Sequence, residues 1–252
     1  MSEDDVYAGL DQAIIPALTP WANSETPVTL LFSGGVDSGL LGWELRQRKA
    51  LQLVTIGTAG SPDLRVAREA AALLGLPGLS VEVTVSDLRA VVERIRPHVD
   101  ELSPTARSVL TAFALALEHA PSRDILCGQG ADELFLGYAH FRGLNAEDAR
   151  SRSASDLRLL LEQDWPRAQA IAREFGHRAV APYLAPEFVD AALRIPVEAR
   201  LPQGSPKSFF RGWASHRGLP APIALRPKRA FQFGSGIDRL IRSARDRGGP
   251  GS

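Results

Sequence analysis

A glycine pair flanked by hydroxyl and carboxylate side chains follows the first apolar run of the chain, in the segment Ser33–Ser38 (SGGVDS). Adjacent glycines let the backbone turn tightly and approach an anion, while hydroxyls and a helix N-terminus supply hydrogen-bond donors. Asp37 would repel a phosphate unless a cation lay between them. Mg²⁺ resolves this conflict because it is readily shared between carboxylates and substrate phosphates. The segment therefore predicts binding of magnesium ATP, with cleavage of the pyrophosphate unit.

A second run of glycines and acids, Gly128–Tyr138 (GQGADELFLGY), follows the apolar run 124–127. We expect Asp132 to be a second magnesium-coordinating carboxylate that shares the metal with Asp37. The alternative is that Asp132 and Glu133 only favour the first turn of a helix that begins there. Because ligands of open parallel sheets bind beyond the carboxyl ends of the strands, the two segments should face each other.

The elements that must position these segments follow an alternating pattern. Between Val28 and Cys127, short apolar runs alternate with helical patterns, which is typical of parallel βαβ units. The third of the predicted strands alternates apolar and polar residues and is expected near a sheet edge. Strands are predicted at 28–32, 51–57, 80–85 and 124–127.

Helix signals are clearest after the second predicted strand, where Ser61 is the expected cap, Pro62 suits the first position and Gly75 ends the helix. Ser103 and Pro104 open another helix in the same way. After Gly137 the chain becomes helix-rich, with periodic stretches near 146–162, 166–175, 186–193 and 205–217. The sequence thus predicts an α/β fold, a doubly wound parallel sheet with a C-terminal helical lobe.

The composition is typical of a globular protein and indicates one compact unit. Of 252 residues, 44% are hydrophobic and 23% charged, and 29 basic residues balance 29 acidic ones, which argues against nucleic-acid and membrane partners. The single cysteine, Cys127, and the absence of a long apolar run suggest a cytoplasmic protein. We expect a helical extension at 1–27, one domain at 28–242 (sheet core 28–138, helical lobe 139–242) and a frayed tail at 243–252.

The two motifs together resemble the synthetase domain of the asparagine synthetase family. That family has the N-type ATP pyrophosphatase (PP-loop) fold, a doubly wound sheet of the adenine-nucleotide alpha hydrolase type. Three further stretches are similar to the family, so the likeness covers almost the whole chain: 56–75 (IGTAGSPDLRVAREAAALLG), 182–193 (PYLAPEFVDAAL) and 226–237 (RPKRAFQFGSGI).

The resemblance implies ATP and Mg²⁺ as cofactors, with Asp37 and Asp132 as the metal-holding carboxylates. Lys228 matches the family lysine that meets the phosphates, and a fixed cation there would stabilise negative charge as pyrophosphate departs. Gln129 joins Lys228 and Asp132 in the expected catalytic set. The expected nucleotide-binding residues are Leu31, Ser33, Gly34, Gly35, Asp37, Ser38, Ile56, Cys127 and Gly128.

The implied reaction begins by activating a poor electrophile, a carboxylate. Attack of the carboxylate on the α-phosphorus gives an acyl-adenylate and pyrophosphate, after which ammonia or an amine forms the amide and releases AMP. The enzyme would thus be an AMP-forming carbon–nitrogen ligase acting on a small carboxylate. Holding both reactants in one pocket supplies much of the acceleration.

The chain departs from the family in its acceptor half. Gln129 stands where the family has a glutamate, and an amide cannot take a proton from an amine. The family pattern E-x-R-x-P-F-L-D has lost three charged side chains in 178–185 (RAVAPYLA). A substrate other than aspartate is therefore expected. His140 and His177, beside the motifs, are the histidines to test as a replacement base.

About 27 residues precede the first predicted strand, and from this we expect the chain to act without the family's glutaminase domain. The nitrogen is then expected as free ammonia, from a separate glutaminase, or as an amine on the substrate. Two further readings stay open: an ATP pyrophosphatase that modifies tRNA or a small molecule, and an ATP-binding module without catalysis. The sequence leaves the acyl substrate and the oligomeric state undetermined, with a homo-oligomer as one candidate.

Overall fold

The computed structural model describes residues 3–23, 25–48, 50–202, 205–226 and 235–246. A parallel sheet lies at its centre, formed by β1 (Val28–Leu31), β2 (Leu51–Gly57), β3 (Gly78–Glu82), β4 (Asp124–Leu126) and β5 (Arg178–Val180). The spatial order is β3-β2-β1-β4-β5, so the chain winds outward in both directions from β1. The predicted doubly wound parallel sheet is confirmed.

Helices cover both faces of this sheet. Their bounds are α1 (Glu3–Ala22), α2 (Val36–Glu44), α3 (Pro62–Leu74), α4 (Val85–Val99), α5 (Pro104–Glu118), α6 (Ala131–Leu134), α7 (Ala146–Leu159), α8 (Trp165–Glu174), α9 (Pro186–Leu193), α10 (Val197–Arg200), α11 (Ser208–His216), α12 (Ala221–Ala224) and α13 (Ile237–Asp246). A π-helical turn (Leu160–Asp164) joins α7 to α8, and 3₁₀ turns lie at Ala139–Phe141 and Pro182–Leu184.

The side chains of the strands alternate between two separate hydrophobic layers, one on each face of the sheet. Leu30 pairs in register with Leu53 of β2 and Leu126 of β4, and all three are buried in the layer formed with α1, α2, α3, α9 and α11. Ile56 and Ile125 point into the opposite layer, formed with α4, α5, α8 and α13. Strands buried on both faces explain the continuous apolar runs in the sequence.

All four predicted strands are present, but the bounds of the third need a correction. The prediction was 80–85, whereas β3 ends at Glu82 and α4 begins at Val85. Thr84 ends the strand because it forms a capping box: its hydroxyl accepts from the Asp87 amide, and the Asp87 carboxylate accepts from the Thr84 amide. The predicted edge position of this strand is confirmed.

The fifth strand was not predicted. Arg178–Val180 is only three residues long and carries no alternation that a sequence pattern could detect. It lies at the other edge of the sheet, where it pairs with β4.

The predicted helix boundaries are largely confirmed, with one correction. Pro62 begins α3, and Gly75 follows it in the left-handed conformation at φ +65°. Ser103 caps α5 by accepting a hydrogen bond from the Ala106 amide. Ser61, however, makes no capping hydrogen bond, because its side chain is buried against Gly57.

The N-terminal helix α1 is packed into the molecule. Its Tyr7 ring contacts Phe209, and its Asp11 carboxylate accepts a hydrogen bond of 2.8 Å from the Trp213 indole, both on α11. It also packs on α9 and on the 3₁₀ turn at Pro182–Leu184. None of the described helices is long and apolar enough to cross a bilayer.

Candidate nucleotide and metal site

The segment Ser33–Ser38 is a tight loop between β1 and the N-terminus of α2. The Ser38 hydroxyl accepts from the Ser33 amide at 3.1 Å and lies 3.2 Å from the Ser33 hydroxyl, which in turn accepts from the Gly35 amide at 3.3 Å. Because β1 is the central strand, the loop holds both hydroxyls and the first turn of α2 at the carboxyl edge of the sheet. Such a helix start is suited to bind an anion.

Gly34 is required by its surroundings. It adopts φ +70°, and a Cβ there would lie 3.0 Å from the backbone of Val66 and Ala67 in α3. The Arg226 guanidinium bridges the same two segments, donating to Gly34 O at 3.3 Å and to Val66 O at 3.2 Å. The loop is therefore fixed to α3 on one side and to residue 226 on the other.

The second segment, Gly128–Tyr138, meets the first one directly. A Cβ on Gly128 would lie only 2.9 Å from the Cβ of Asp37, so glycine lets the two loops touch. Gly130 turns the chain at φ +95°, and a Cβ on Gly137 would lie 1.9 Å from the carboxylate oxygen Oδ1 of Asp132. Gly128 and Gly137 thus make room for the side chains of Asp37 and Asp132.

Asp37 and Asp132 converge on one buried cation, the ammonium of Lys207. Its Nζ lies 2.5 Å from Oδ1 of Asp37 and 2.5 Å from Oδ1 of Asp132. The Lys207 side chain is only 1% exposed. Burial alone would lower the pKa of Lys207, but the two carboxylates outweigh it and raise that pKa above its ordinary value. The structure therefore brings the two predicted carboxylates together around a positive charge.

The donor set fits a magnesium ion carried by a nucleotide. In the part of the chain that the structure describes, no cluster of three or more His, Cys, Asp or Glu side chains could hold a metal by itself. Two carboxylates are what Mg²⁺ takes from a protein when substrate phosphates and water complete its octahedron. Asp37 and Asp132 are thus a suitable pair for a metal that arrives with its phosphates.

Glu133, the acid next to Asp132, is engaged elsewhere. Its side chain is 5% exposed and accepts a 2.5 Å hydrogen bond from the Tyr138 hydroxyl. Burial and, secondly, the charge of Asp132 raise the pKa of Glu133 to about 7. Burial likewise raises the pKa of Tyr138. The Glu133–Tyr138 hydrogen bond thus ties the middle of the second segment to its last residue.

The remaining residues predicted to bind nucleotide lie at or below the same edge. Ile56 is fully buried within β2, and Leu31 ends β1 as a partly buried side chain. Cys127 is buried with its Sγ 3.7 Å from Val180 O, and burial raises the pKa of its thiol to about 11. Gly128 and Gln129 follow it as half-buried residues.

Lys228 lies outside the described residues, but both flanks of its segment are anchored beside the site. Arg226 contacts Gly34 after β1, as described above. On the other flank, Ser235 O accepts hydrogen bonds from the amide of Thr58 at 2.8 Å and from its hydroxyl at 3.2 Å, directly after β2.

Two residues of the site were missed by sequence reasoning. Lys207 was hidden inside the stretch 205–217, which was predicted only as a helix. Lysine is rare in this chain, at only three of the 29 basic residues, and this rarity was the signal that could have drawn attention to Lys207. Tyr183 is the second: its buried hydroxyl donates to Asp37 O at 2.8 Å. It stands where the family pattern has phenylalanine, so the added hydroxyl was the available signal.

The two histidines considered as a replacement base are held elsewhere. The His140 ring lies 2.9 Å from the Asp156 carboxylate on an exposed surface. His177 directly precedes β5 and therefore lies at the amino-terminal ends of the strands, whereas the site lies at their carboxyl ends. Its ring nitrogens are 2.9 Å and 3.0 Å from the carbonyl oxygens of Ser122 and Leu117. The geometry therefore offers no support for either as a base.

A parallel sheet of this strand order, with a glycine-containing loop between its central strand and a helix, is a fold of the adenine-nucleotide alpha hydrolase type. The chain belongs to the asparagine synthase family, whose family model matches residues 10–179 and 142–247.

Among its relatives are asparagine synthetase B [glutamine-hydrolyzing] of Escherichia coli strain K12, 28% identical over 92% of this chain and 46% of that protein, and asparagine synthetase [glutamine-hydrolyzing] of Brassica oleracea, 27% identical over 92% and 42%. The chain thus spans about half the length of these relatives. Among solved structures, NMN synthetase from Francisella tularensis aligns over 99% of this chain and 95% of that one, with 10% identity and a TM-score of 0.38.

Proposed function

We propose that this protein is an ATP-dependent ligase that adenylates a carboxylate, releases pyrophosphate, and transfers the acyl group to ammonia or an amine with release of AMP. The observation that carries the proposal is the convergence of Asp37 and Asp132 from two adjoining loops on one cation, beside the N-terminus of α2. Membership of the asparagine synthase family supports the same class of reaction.

Each element of the site has a task in this proposal. The hydroxyls of Ser33 and Ser38 and the first turn of α2 bind the phosphates, and Asp37 and Asp132 hold the magnesium of the nucleotide. When bound, the metal supplies charge neutralisation of the departing pyrophosphate. Lys228 supplies a second positive charge for the same purpose. Gln129 orients the acceptor by hydrogen bonding and does not move a proton.

The proposed acyl substrate is a small carboxylate other than aspartate. In the altered stretch 178–185, Arg178 forms a bidentate ion pair with Asp124. Both residues begin their strands, so this pair lies at the amino-terminal ends of the strands, away from the site. The remaining residues of the stretch are uncharged. This region therefore gives the substrate pocket no charged side chain with which to recognise a second ionic group. We propose ammonia, a substrate amine or a separate glutaminase as the nitrogen source.

The experiment that tests the function is product analysis with ATP labelled at the α-phosphate in one reaction and at the γ-phosphate in a parallel one. The protein is incubated with Mg²⁺, a panel of small carboxylates and ammonia, and we expect AMP and pyrophosphate in equal amounts. Formation of ADP and orthophosphate would contradict the proposal. A requirement for tRNA would instead favour a nucleic-acid-modifying enzyme, and tight ATP binding without turnover would favour a binding module.

A further inference from the structure

The ammonium of Lys207 lies between the two carboxylates, Asp37 and Asp132, that are proposed to hold the metal. Its Nζ contacts one oxygen of each carboxylate at 2.5 Å. A magnesium ion binds such oxygens at about 2.0–2.1 Å. The ammonium and a metal ion therefore cannot both sit between the same two oxygen atoms. The protein as described holds its own cation there.

We propose that Lys207 is a built-in cation that closes the Asp37–Asp132 pair to free divalent metal ions, so that the site admits magnesium only together with a triphosphate. This inference rests on the proposed metal role of the two aspartates. It makes Lys207 a positioning and selectivity residue, because it acts through the two carboxylates.

Charge balance gives the reason for this selectivity. The ammonium, itself only 1% exposed, already neutralises half of the charge of the two carboxylates, which are 24% and 19% exposed. A free divalent ion would have to displace a buried ammonium, or lie against it and suffer strong repulsion. A nucleotide brings several negative charges with its metal, so both cations can then be retained. The triphosphate thus supplies the charge that a second cation requires.

The lysine is held in place by the fold. Lys207 precedes α11 in the left-handed conformation, at φ +64°, which non-glycine residues rarely adopt. Its aliphatic stem packs against Gly137, where a Cβ would lie 3.0 Å from Lys207 Cδ, and its Nζ lies 5.4 Å from the ring centre of Phe210. The ammonium is therefore placed in advance, as a selectivity device requires.

The choice of lysine is itself informative in a chain whose basic residues are nearly all arginine. An ammonium is a compact point charge that can take the place of a metal ion between two oxygens, whereas a planar guanidinium binds carboxylates side by side. At this position the chain uses the basic group that most resembles a metal ion.

The test measures binding of Mn²⁺, as a spectroscopic substitute for Mg²⁺, by electron paramagnetic resonance without nucleotide. We expect the wild-type protein to bind Mn²⁺ weakly, and Lys207→Gln to bind it at least about tenfold more tightly because the competing charge is gone. Lys207→Gln keeps hydrogen-bond donors for the carboxylates. Lys207→Met is a second variant without donors, and its melting temperature should rise with added Mg²⁺ more than that of the wild type.

Two further variants separate the local effect from a general charge effect. Asp132→Asn/Lys207→Gln should lose the gained Mn²⁺ affinity, and Arg65→Met, which removes one charge from an exposed ion pair, should bind like the wild type. Equal Mn²⁺ affinity of wild type and Lys207→Gln would overturn the inference. Failure of the proposed function is recognised separately, by wild-type protein that does not bind Mn²⁺ even with α,β-methylene-ATP.

Discussion

Asp132 is the residue on which the metal assignment can be tested most directly. Asparagine in its place keeps the shape of the side chain but removes one of the two carboxylates that face Lys207. We expect Asp132→Asn to lower magnesium-dependent ATP turnover by about a hundredfold or more, because the charge that holds the metal is lost. The rate of AMP formation at saturating Mg²⁺ is the measurement. Asp164→Asn, at a more exposed ion pair, is the control that should keep full activity.

Glu133 makes the stability of the protein depend on pH. Its pKa is raised from 4.5 to about 7 in the folded protein, so the folded state favours the protonated carboxyl. The stabilisation is complete below about pH 4.5 and is lost as the pH rises through about 7, by roughly 3 kcal/mol. Glu133→Gln keeps an acceptor for Tyr138 and should remove this dependence.

The measurement is urea unfolding of both proteins between pH 5 and pH 8 without metal. The wild type should lose stability relative to Glu133→Gln as the pH increases. Parallel stability curves for the two proteins would contradict the assignment of this pKa.

Cys127 should be an unreactive thiol although it lies next to the site. Burial raises its pKa to about 11, so at pH 8 its thiolate fraction is about a hundredfold below that of an ordinary cysteine. We expect no titration by a disulfide reagent at pH 8 in the folded protein, and one thiol per chain in denaturant. Rapid reaction of the folded protein would place the side chain at the surface.

The sequence predicts the acids of the site better than their partners. SGGVDS and GADE carry glycines, hydroxyls and carboxylates in a spacing that only a few kinds of site require, so Asp37 and Asp132 stand out. Lys207 follows no such pattern, because its role depends on a side chain that reaches another loop 75 residues away. Contacts of that kind are set by tertiary packing and leave no local trace.

At the scale of elements, the 3₁₀ turn Pro182–Leu184 contacts the loop Ser33–Ser38, which is proposed to bind the phosphates. The hydroxyl of the buried Tyr183 donates to the carbonyl of Asp37, a partly buried residue. Tyr183→Phe leaves that carbonyl without this donor, and we expect a loss of about 1–2 kcal/mol in the free energy of unfolding. It should also weaken binding of magnesium ATP. Chemical denaturation and calorimetric titration measure the two effects.

The control for this variant is Tyr7→Phe, a comparable change on α1 outside the site, which should leave nucleotide affinity unchanged. Equal nucleotide affinity in Tyr183→Phe and wild type would show that the turn does not act on the loop.

Element boundaries were predictable where a proline, a glycine or a capping residue determines them, as at Pro62, Gly75 and Ser103. They were missed where tertiary contacts decide. β5 is too short to show a strand pattern in the sequence, and it forms because its backbone pairs with that of β4. Ser61 has the type of a capping residue, but its side chain turns toward Gly57.

At the scale of the whole molecule, one hydrophobic cluster joins α1 and α11 to the same face of the sheet. It contains Leu10 and Ile14 of α1, Leu30 of β1 and Trp213 of α11, all buried. We therefore expect unfolding in a single cooperative transition, with coincident curves from circular dichroism and tryptophan fluorescence.

Ile14→Ala should lower the free energy of unfolding by about 2–5 kcal/mol and keep one transition. A separate early transition in this variant would mean that α1 is an independent unit. The sequence predicted a helix at the N-terminus, but it did not indicate which surface that helix covers.

The pairing of β1 with β4 has a consequence for the distance between the two aspartates. Leu30 lies opposite Leu126, Asp37 follows the first by seven residues, and Asp132 follows the second by six. A slip of one residue between these strands would displace one acid by about 3.3 Å and turn buried side chains to the wrong face. The packing of the leucines and isoleucines in the central strands thus sets the distance between two carboxylates that lie beyond the ends of those strands.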